Sequence, residues 1–475
     1  MASRNGSRKE LIVDVEPEPG STGHEGGQIF TRDTVSVESS LRYRATSSEV
    51  TEMDSPDGVE GFVEVETRDP IAIALEQCEK WVLGPYRLLL KMLGWTQLSK
   101  DGDTAVQKLA RVALVMSWVL AILLTFITQI LTCFRRDSFA TTPMNSSGRQ
   151  VICQKHIISS YILPDLLLLA SYFFGLYLFS KGETEYLSNL ADRAFVKGTQ
   201  AKLNFNKKLI FTIFGFFLIA LVWIVLSFCV RLMTSFALDL WNGNTTIYWN
   251  TTELSGAGKD TLLVISLGGF VFFDLVYVGA VINYAAQSEM NIYLLRAIRR
   301  MVVQKFYEDI DAGIKDILEC RQYLRVLNGK TATAAALIMF NLASAGVLAI
   351  IGLNDISTGK AGQYFKDLAT VASGLNVILW MGLVFFPFIQ AARVSHAAQE
   401  LKGAGVEIRA RPLQYSKTPQ IELDSFVGLT NAVKLRATMF GIPVYPWLVW
   451  FIITAFSFTT LILFQTGLYN FTPYL

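Results

Sequence analysis

Apolar residues in this chain gather into seven charge-poor stretches: Leu109 to Phe134, Ile157 to Ser180, Leu209 to Phe236, Thr261 to Ala286, Ala334 to Leu353, Leu368 to Gln390 and Trp447 to Leu468. Crossing a bilayer takes roughly 20 residues of helix, and each stretch is long enough. Backbone polar groups in lipid must be satisfied within the segment, so the pattern predicts an all-α integral membrane protein with seven transmembrane helices. The last stretch carries the most information. Thr418-Pro419 is expected to open a helix running to Phe440, with Pro419 at its first position. Glu422 and Asp424 would lie in its first turns and Lys434 and Arg436 in its last, the charge order a helix dipole favours. Gly441-Ile442-Pro443-Val444-Tyr445-Pro446 then interrupts the chain. The span that follows has no charge, yet contains Ser457, Thr459, Thr460, Gln465 and Thr466. The final helix is therefore expected to be split into a cytoplasmic and a membrane half, the latter a pore helix or a well-packed interior helix.

Basic residues orient the spans. With the N-terminus cytoplasmic, 33 Lys and Arg fall inside and 7 outside, which the positive-inside rule favours. The sequons Asn145-Ser146-Ser147, Asn244-Thr245-Thr246, Asn250-Thr251-Thr252 and Asn470-Phe471-Thr472 all land outside. Asn145, Asn244 and Asn250 are candidate glycosylation sites; Asn470 lies too near the membrane, and Asn5 lies inside. The expected topology is N-terminus cytoplasmic, C-terminus extracellular. That is inverted relative to G-protein-coupled receptors, whose third- and seventh-span signatures are also missing.

Three regions follow. Residues 1–70 hold 15 acidic and 7 basic residues with few aromatics, so they cannot bury enough apolar surface to offset their ordering entropy, and a disordered acidic cytoplasmic tail is predicted. Residues 71–107 form an amphipathic stretch, interrupted by Gly84-Pro85, expected to lie at the cytoplasmic interface. Residues 108–475 form the seven-helix domain. Within it, apolar positions recur at helical period from Tyr293 to Leu327, so spans four and five are read as extending into the cytoplasm, as does span six through Arg393 to Leu401. Cytoplasmic anchor helices are placed at about 287–333 and 391–445, and the pore helix at 446–468.

Composition narrows the chemistry. Hydrophobic residues make up 52% and charged residues 17%, with a net charge of +2, so neither a soluble globule nor a nucleic-acid partner fits. No P-loop, Gly-x-Ser-x-Gly or Cys-x-x-Cys motif is present. The three histidines, His24, His156 and His396, share no helix face with carboxylates, so no metal site, cofactor or enzymatic activity is expected. Cys133 and Cys153 flank the first outer loop and could form a disulfide.

Polar residues inside the spans raise the sharper question. Asp165 lies in the outer part of span two and Asp274 near the middle of span four. A carboxylate at such depth costs on the order of 2.5 to 3.5 kcal/mol and should face protein, a partner or water. Arg231, near the outer end of span three, is a possible partner for Asp165. Either these are structural ion pairs or protonated acids, or they floor an outward-opening ligand pocket completed by Tyr172, Trp223, Asn341, Asn376 and Trp380.

Leu83 to Trp95, LGPYRLLLKMLGW, resembles the amphipathic entry of gustatory receptors. Phe458-Thr459-Thr460-Leu461-Ile462-Leu463-Phe464-Gln465-Thr466 is similar to that family's closing signature of Thr-Tyr, five hydrophobics and Gln-Phe, though Thr-Tyr becomes Phe-Thr and the last Phe becomes Thr. With the topology, extended inner helices and split final helix over residues 71–475, the chain resembles the insect odorant and gustatory receptor superfamily as a divergent gustatory-receptor-like member. The resemblance implies a ligand-gated, non-selective cation channel of the plasma membrane, a homotetramer opened by a small extracellular molecule, with the last helix lining a central pore. It maps the constriction to Ile462, one turn before Gln465, with Phe458 on the same stripe and Thr459 and Thr466 beside it. Two other classes remain open: a seven-span receptor acting through a cytosolic partner, and a secondary transporter using Asp165 and Asp274, which the missing internal repeat weakens.

Overall fold

The computed structural model describes residues 70–95, 104–132, 149–151, 162–180, 183–201, 205–237, 245–249, 252–253, 256–304, 307, 310–358, 363–410, 415 and 418–469. The acidic tail short of Pro70, the glycosylation candidates Asn145, Asn244 and Asn250, and Cys133 and Cys153 lie outside them, as do His24 and His156.

Every predicted span falls on a helix. They are α3 (Ala105–Thr132), α4 (Leu163–Ser180), α6 (Phe205–Ala237), α7 (Gly256–Val303), α9 (Ala332–Thr358), α10 (Gln363–Ala410) and α12 (Pro446–Tyr469). Among the described residues, α3, α6, α7 and α10 are long and apolar enough to cross a membrane, and α4 and α12 contribute shorter apolar segments. The chain is a multi-pass membrane protein. Helices α7 and α10 each run 48 residues without a break, about 72 Å at the α-helical rise and far beyond a bilayer core. Helix α8 (Ile310–Val326) joins α9 through a π-helical turn, Leu327–Thr331.

Helix α7 is the axis of the bundle. From Val276 to Leu295 every residue is buried, because α3, α5 (Glu183–Gln200), α6, α9 and α10 surround it. Helix α12 stands at the edge and touches α10 and α9 along one side, with Phe456 edge-on to Phe385 at 5.8 Å. Its other faces expose Trp447, Trp450 and Phe451.

Four local outcomes differ from expectation. First, Gly84-Pro85 does not interrupt the pre-span helix. Helix α1 (Pro70–Cys78) passes through a π-helical turn, Glu79–Leu83, into α2 (Gly84–Met92), and Gly84 N–H closes that turn on Glu79 O. Widening by one residue accommodates Pro85, which has no N–H to donate and whose ring crowds the preceding turn. Gly94, at φ 72°, ends α2, with Trp95 N–H bonded to Leu90 O and Gly94 N–H to Lys91 O, the left-handed cap that glycine adopts without steric cost.

Second, the segment is docked rather than merely laid on a surface. Cys78, Val82, Tyr86, Leu90, Leu93 and Trp95 are buried, and an outward stripe of Trp81, Leu88 and Met92 is exposed. Trp95 lies against Gly175 and Leu93 against Gly279, where any added Cβ would sit 2.5 and 2.4 Å from the incoming side chain.

Third, the helix expected from Pro419 to Phe440 is shorter at both ends. Pro419 is the N-cap, and α11 runs only Gln420–Ala432. Val433 turns extended and the chain forms a two-stranded hairpin, β4 (Thr438–Met439) against β5 (Ile442–Pro443), so Lys434 and Arg436 lie beyond the helix. Tertiary hydrogen bonds outcompete helix propagation here: Ala437 N–H donates to Ser395 Oγ at 3.1 Å and Thr438 N–H to Asn328 Oδ1 at 2.9 Å. Phe440 (φ 52°) and Gly441 (φ 77°) supply the two left-handed residues a tight hairpin loop requires.

Fourth, the all-α expectation omits a small sheet formed by segments of the α3–α4 and α6–α7 connections. Strand β1 (Arg149–Val151) pairs in parallel with β2 (Thr245–Trp249), and β2 in antiparallel with β3 (Thr252–Glu253). Helix α5 (Glu183–Gln200), packed on α7 and α1, was also not anticipated.

Candidate functional site

A charged pair lies buried between α6 and α7. Arg231 Nη2 donates to Asp274 Oδ2, with side-chain exposures of 3% and 0%. The sequence reading offered Asp165 as the partner of Arg231; the structure pairs Arg231 with Asp274 instead, because α6 and α7 lie side by side at that depth. The guanidinium also donates to Ser227 Oγ at 3.2 Å, one turn below on its own helix, and stands 4.6 Å over the Phe270 ring. Opposite charge, a hydroxyl and an aromatic face together offset the cost of removing an arginine from water. Nε and Nη1 of Arg231 are buried and make no hydrogen bond among the described residues.

Other predicted pocket residues lie on the helices around this pair. Trp223 Nε1 donates to Leu379 O at 2.9 Å, tying α6 to α10. Asn341 Nδ2 on α9 donates at 3.0 Å to the hydroxyl of Tyr277, one turn along α7 from Asp274. Asn376 and Trp380, both on α10, are buried, as is Asp165 on α4. Tyr172 belongs to a different cluster. Its hydroxyl donates to Leu93 O at 3.0 Å, and its ring neighbours Trp95 and Trp118. Trp118 Nε1 donates to Met92 O at 2.7 Å, so this aromatic group fastens the α1–α2 segment to α3 and α4.

On α12, Phe458 and Thr459 are exposed, Ile462 is 44% exposed, and Thr459 Oγ1 bonds back to Ala455 O at 2.8 Å. Ala455, one turn before Phe458, is exposed as well. Gln465 and Thr466 continue the helix, with side chains outside the described residues.

The sequence reading missed a second polar region. Asn283, Gln287, Ser288, Glu289 and Asn291 form a fully buried belt on α7. Tyr86 hydroxyl donates to Asn283 Oδ1, Gln287 Nε2 donates to the same atom at 3.0 Å, and Thr331 Oγ1 donates to Gln287 Oε1 at 2.9 Å. Arg393 of α10 grips Glu289 with two bonds, 2.7 and 2.9 Å, and Gln390 Oε1 at 2.9 Å. The available signal was the polar run from Asn283 to Asn291 just where span four ends. Beyond it the apolar residues resume at helical period, which masks the polar run.

Further along, α5 and α8 are joined by Lys197–Asp316 at 2.6 Å and Arg193–Glu319 at 3.0 Å. Tyr307 hydroxyl donates to Asp316 Oδ2 at 2.5 Å. Burial, and the carboxylate beside it, push that hydroxyl well above the usual tyrosine range. A cavity of about 390 Å³ opens between the α1–α2 segment and α5, lined by Leu75, Glu76, Glu79, Leu83, Arg87, Ser188 and Asp192. Burial, then Glu79, raise the Asp192 carboxyl above its ordinary value. Among the described residues no group of three His, Cys, Asp or Glu side chains is placed to hold a metal ion.

No protein-family model and no curated protein matches this chain. Its fold does match solved structures. The insect olfactory receptor OR5 from Machilis hrabei aligns with a TM-score of 0.59 and 14% identity, over 82% of this chain and 99% of that receptor. The same receptor in complex with eugenol aligns with a TM-score of 0.58 and 12% identity, over 83% and 99%. At that identity the likeness is one of fold.

Proposed function

We propose that this chain belongs to the insect odorant and gustatory receptor superfamily and acts as a ligand-gated, non-selective cation channel opened by a small extracellular molecule. In this reading α3, α4, α6, α7, α9, α10 and α12 span the plasma membrane with the N-terminus cytoplasmic and the C-terminus outside. Four copies surround a pore lined by α12, while the inner parts of α7 and α10 with α8 and α11 form the anchor. The observation that carries the proposal is the state of α12: an uncharged helix held to its own subunit along one side only, exposing large apolar groups together with Ser457 and Thr459. Their hydroxyls bond back to Ile453 O and Ala455 O, which lets lipid tolerate them, and a water-filled axis would give their remaining hydrogen-bonding capacity a partner. Ile462, at one turn from Gln465, would seal the closed pore by excluding water, and Gln465 and Thr466 would line its outer mouth. The shared fold with a receptor solved with eugenol supports a small organic ligand. Trp223, Asp274, Asn341, Asn376 and Trp380 would wall its pocket, Asp165 would border it, and Tyr172 would brace its floor.

The test is mass measurement in mild detergent together with cation conductance in planar bilayers. Tetramers with ligand-dependent current are expected. A monomer alone would sink the shared pore, ion-coupled uptake without conductance would select a transporter, and neither activity would leave a receptor working through a cytosolic partner.

A further inference from the structure

The buried belt of α7 and the hairpin that leads into α12 meet at one short element, the π-helical turn Leu327–Thr331. On the belt side, Thr331 donates to Gln287, and Gln287 to Asn283, which also accepts the Tyr86 hydroxyl. On the hairpin side, Asn328 Nδ2 donates to Arg436 O at 2.8 Å, and Asn328 Oδ1 accepts Thr438 N–H at 2.9 Å. A single amide thus supplies both the donor and the acceptor that a neighbouring strand would offer. Ala332 N–H closes the turn on Leu327 O, the wide spacing of a π-helix, an irregularity often found at functional positions. Little slack follows. Val444 N–H is bonded to Ala437 O at 3.0 Å, and Leu448 N–H, already inside α12, to Tyr445 O at 3.0 Å.

We propose that Asn328 is a positioning residue for α12, and that the π-turn is the joint through which the α7 belt sets where the last helix begins. The tie and the clamp act as one unit: moving Thr331 moves Asn328, and with it the hairpin. The links are neutral hydrogen bonds, which exchange partners more readily than the doubly bonded Arg393–Glu289 pair beside them. The proposal rests on reading α12 as the pore helix, and its test separates the two.

Amide hydrogen exchange is measured on the full chain in nanodiscs, following the peptide over 433–445 with the α5 peptide as internal control. Asn328→Ala should speed exchange there by about tenfold or more, since both of its hydrogen bonds to the hairpin are lost. Thr331→Val removes the bond to Gln287 and none of the hairpin hydrogen bonds named above, yet should produce the same selective rise, and Thr331→Ser, which keeps the hydroxyl, should restore protection. Should Thr331→Val leave the hairpin unchanged, or raise α5 equally, the two contacts are independent and the joint does not exist. In bilayers without added ligand, Asn328→Ala and Thr331→Val should shift basal cation current in the same direction. A wild-type current that both variants leave untouched overturns the positioning role. Coupled exchange in a chain that never conducts cations sinks the channel reading and leaves the joint standing.

Discussion

Removing Asp274 should cost this protein far more than removing both members of its pair. In Asp274→Leu, Arg231 would keep the Ser227 hydroxyl and the Phe270 ring but lose its only carboxylate among the contacts named above, at 3% exposure. An uncompensated buried charge of this kind costs about 3 to 5 kcal/mol, two to nearly four orders of magnitude in the folded-to-unfolded ratio. Arg231→Met would take the arginine away from the buried carboxylate instead and should also be destabilising. The double variant Arg231→Met with Asp274→Leu replaces the pair by apolar groups of similar reach. It should return to within about 1 kcal/mol of the wild type, because the desolvation of both charges is no longer required. The measurement is a double-mutant cycle by denaturant or thermal unfolding in detergent, where the coupling is the excess of the summed single losses over the double loss. Coupling of several kcal/mol is expected. If each single variant loses under about 1 kcal/mol and the losses add, the pair is not energetically joined and its burial has been misjudged. The same variants bear on the pocket. Asp274→Asn should shift ligand potency at unchanged surface expression if Asp274 walls the ligand site, whereas loss of folding with no separable ligand effect would make the pair structural alone.

Three further outcomes are expected. Gly175→Ala would place a methyl 2.5 Å from the Trp95 ring, and an overpacked ring of that size should cost about 1 to 3 kcal/mol and red-shift tryptophan emission as Trp95 lifts off α4; unchanged emission and stability would refute the contact. Burial, followed by Asp192 and Glu79, pushes the Cys78 thiol from 9.0 up to about 12. The fold favours the neutral thiol, so its contribution is complete below pH 9 and fades as pH climbs toward 12. The stability difference between wild type and Cys78→Ala should shrink over that window, and a constant difference would refute it. Ile462→Ala or Ile462→Ser should raise ligand-independent current, and substitution of Gln465 should alter ion preference; if the Ile462 variants assemble at the surface as tetramers with wild-type basal current, Ile462 is not the gate.

The spans were legible because lipid imposes a simple code. A helix must satisfy its own backbone and carry about 20 apolar residues, so each of the seven stretches appears in the structure as a helix. Helical period also carried past the membrane, and α7 continues to Val303 and α10 to Ala410. Depth alone flagged Arg231 and Asp274 as residues needing partners, since charge in an apolar span demands compensation wherever the helix lies.

Partners were not legible, because they depend on which helices become neighbours. Depth offered Asp165 as the partner of Arg231, and the packing of α6 on α7 supplied Asp274 instead. Capping chemistry likewise predicted a helix to Phe440, but Asn328 and Ser395, far away in sequence, hold residues 436–438 extended, and local propensity yields to those bonds. Proline and glycine read as an interruption at Gly84-Pro85, yet a π-turn carries the helix through because Tyr86, Leu90 and Leu93 anchor it from beyond. The belt from Asn283 to Asn291 is polar in sequence yet interior in the fold, because other helices enclose it. The chain by itself determined which segments could be helices and which side chains would require company; tertiary structure decided the company, since contact between residues distant in sequence is set by packing rather than by local pattern.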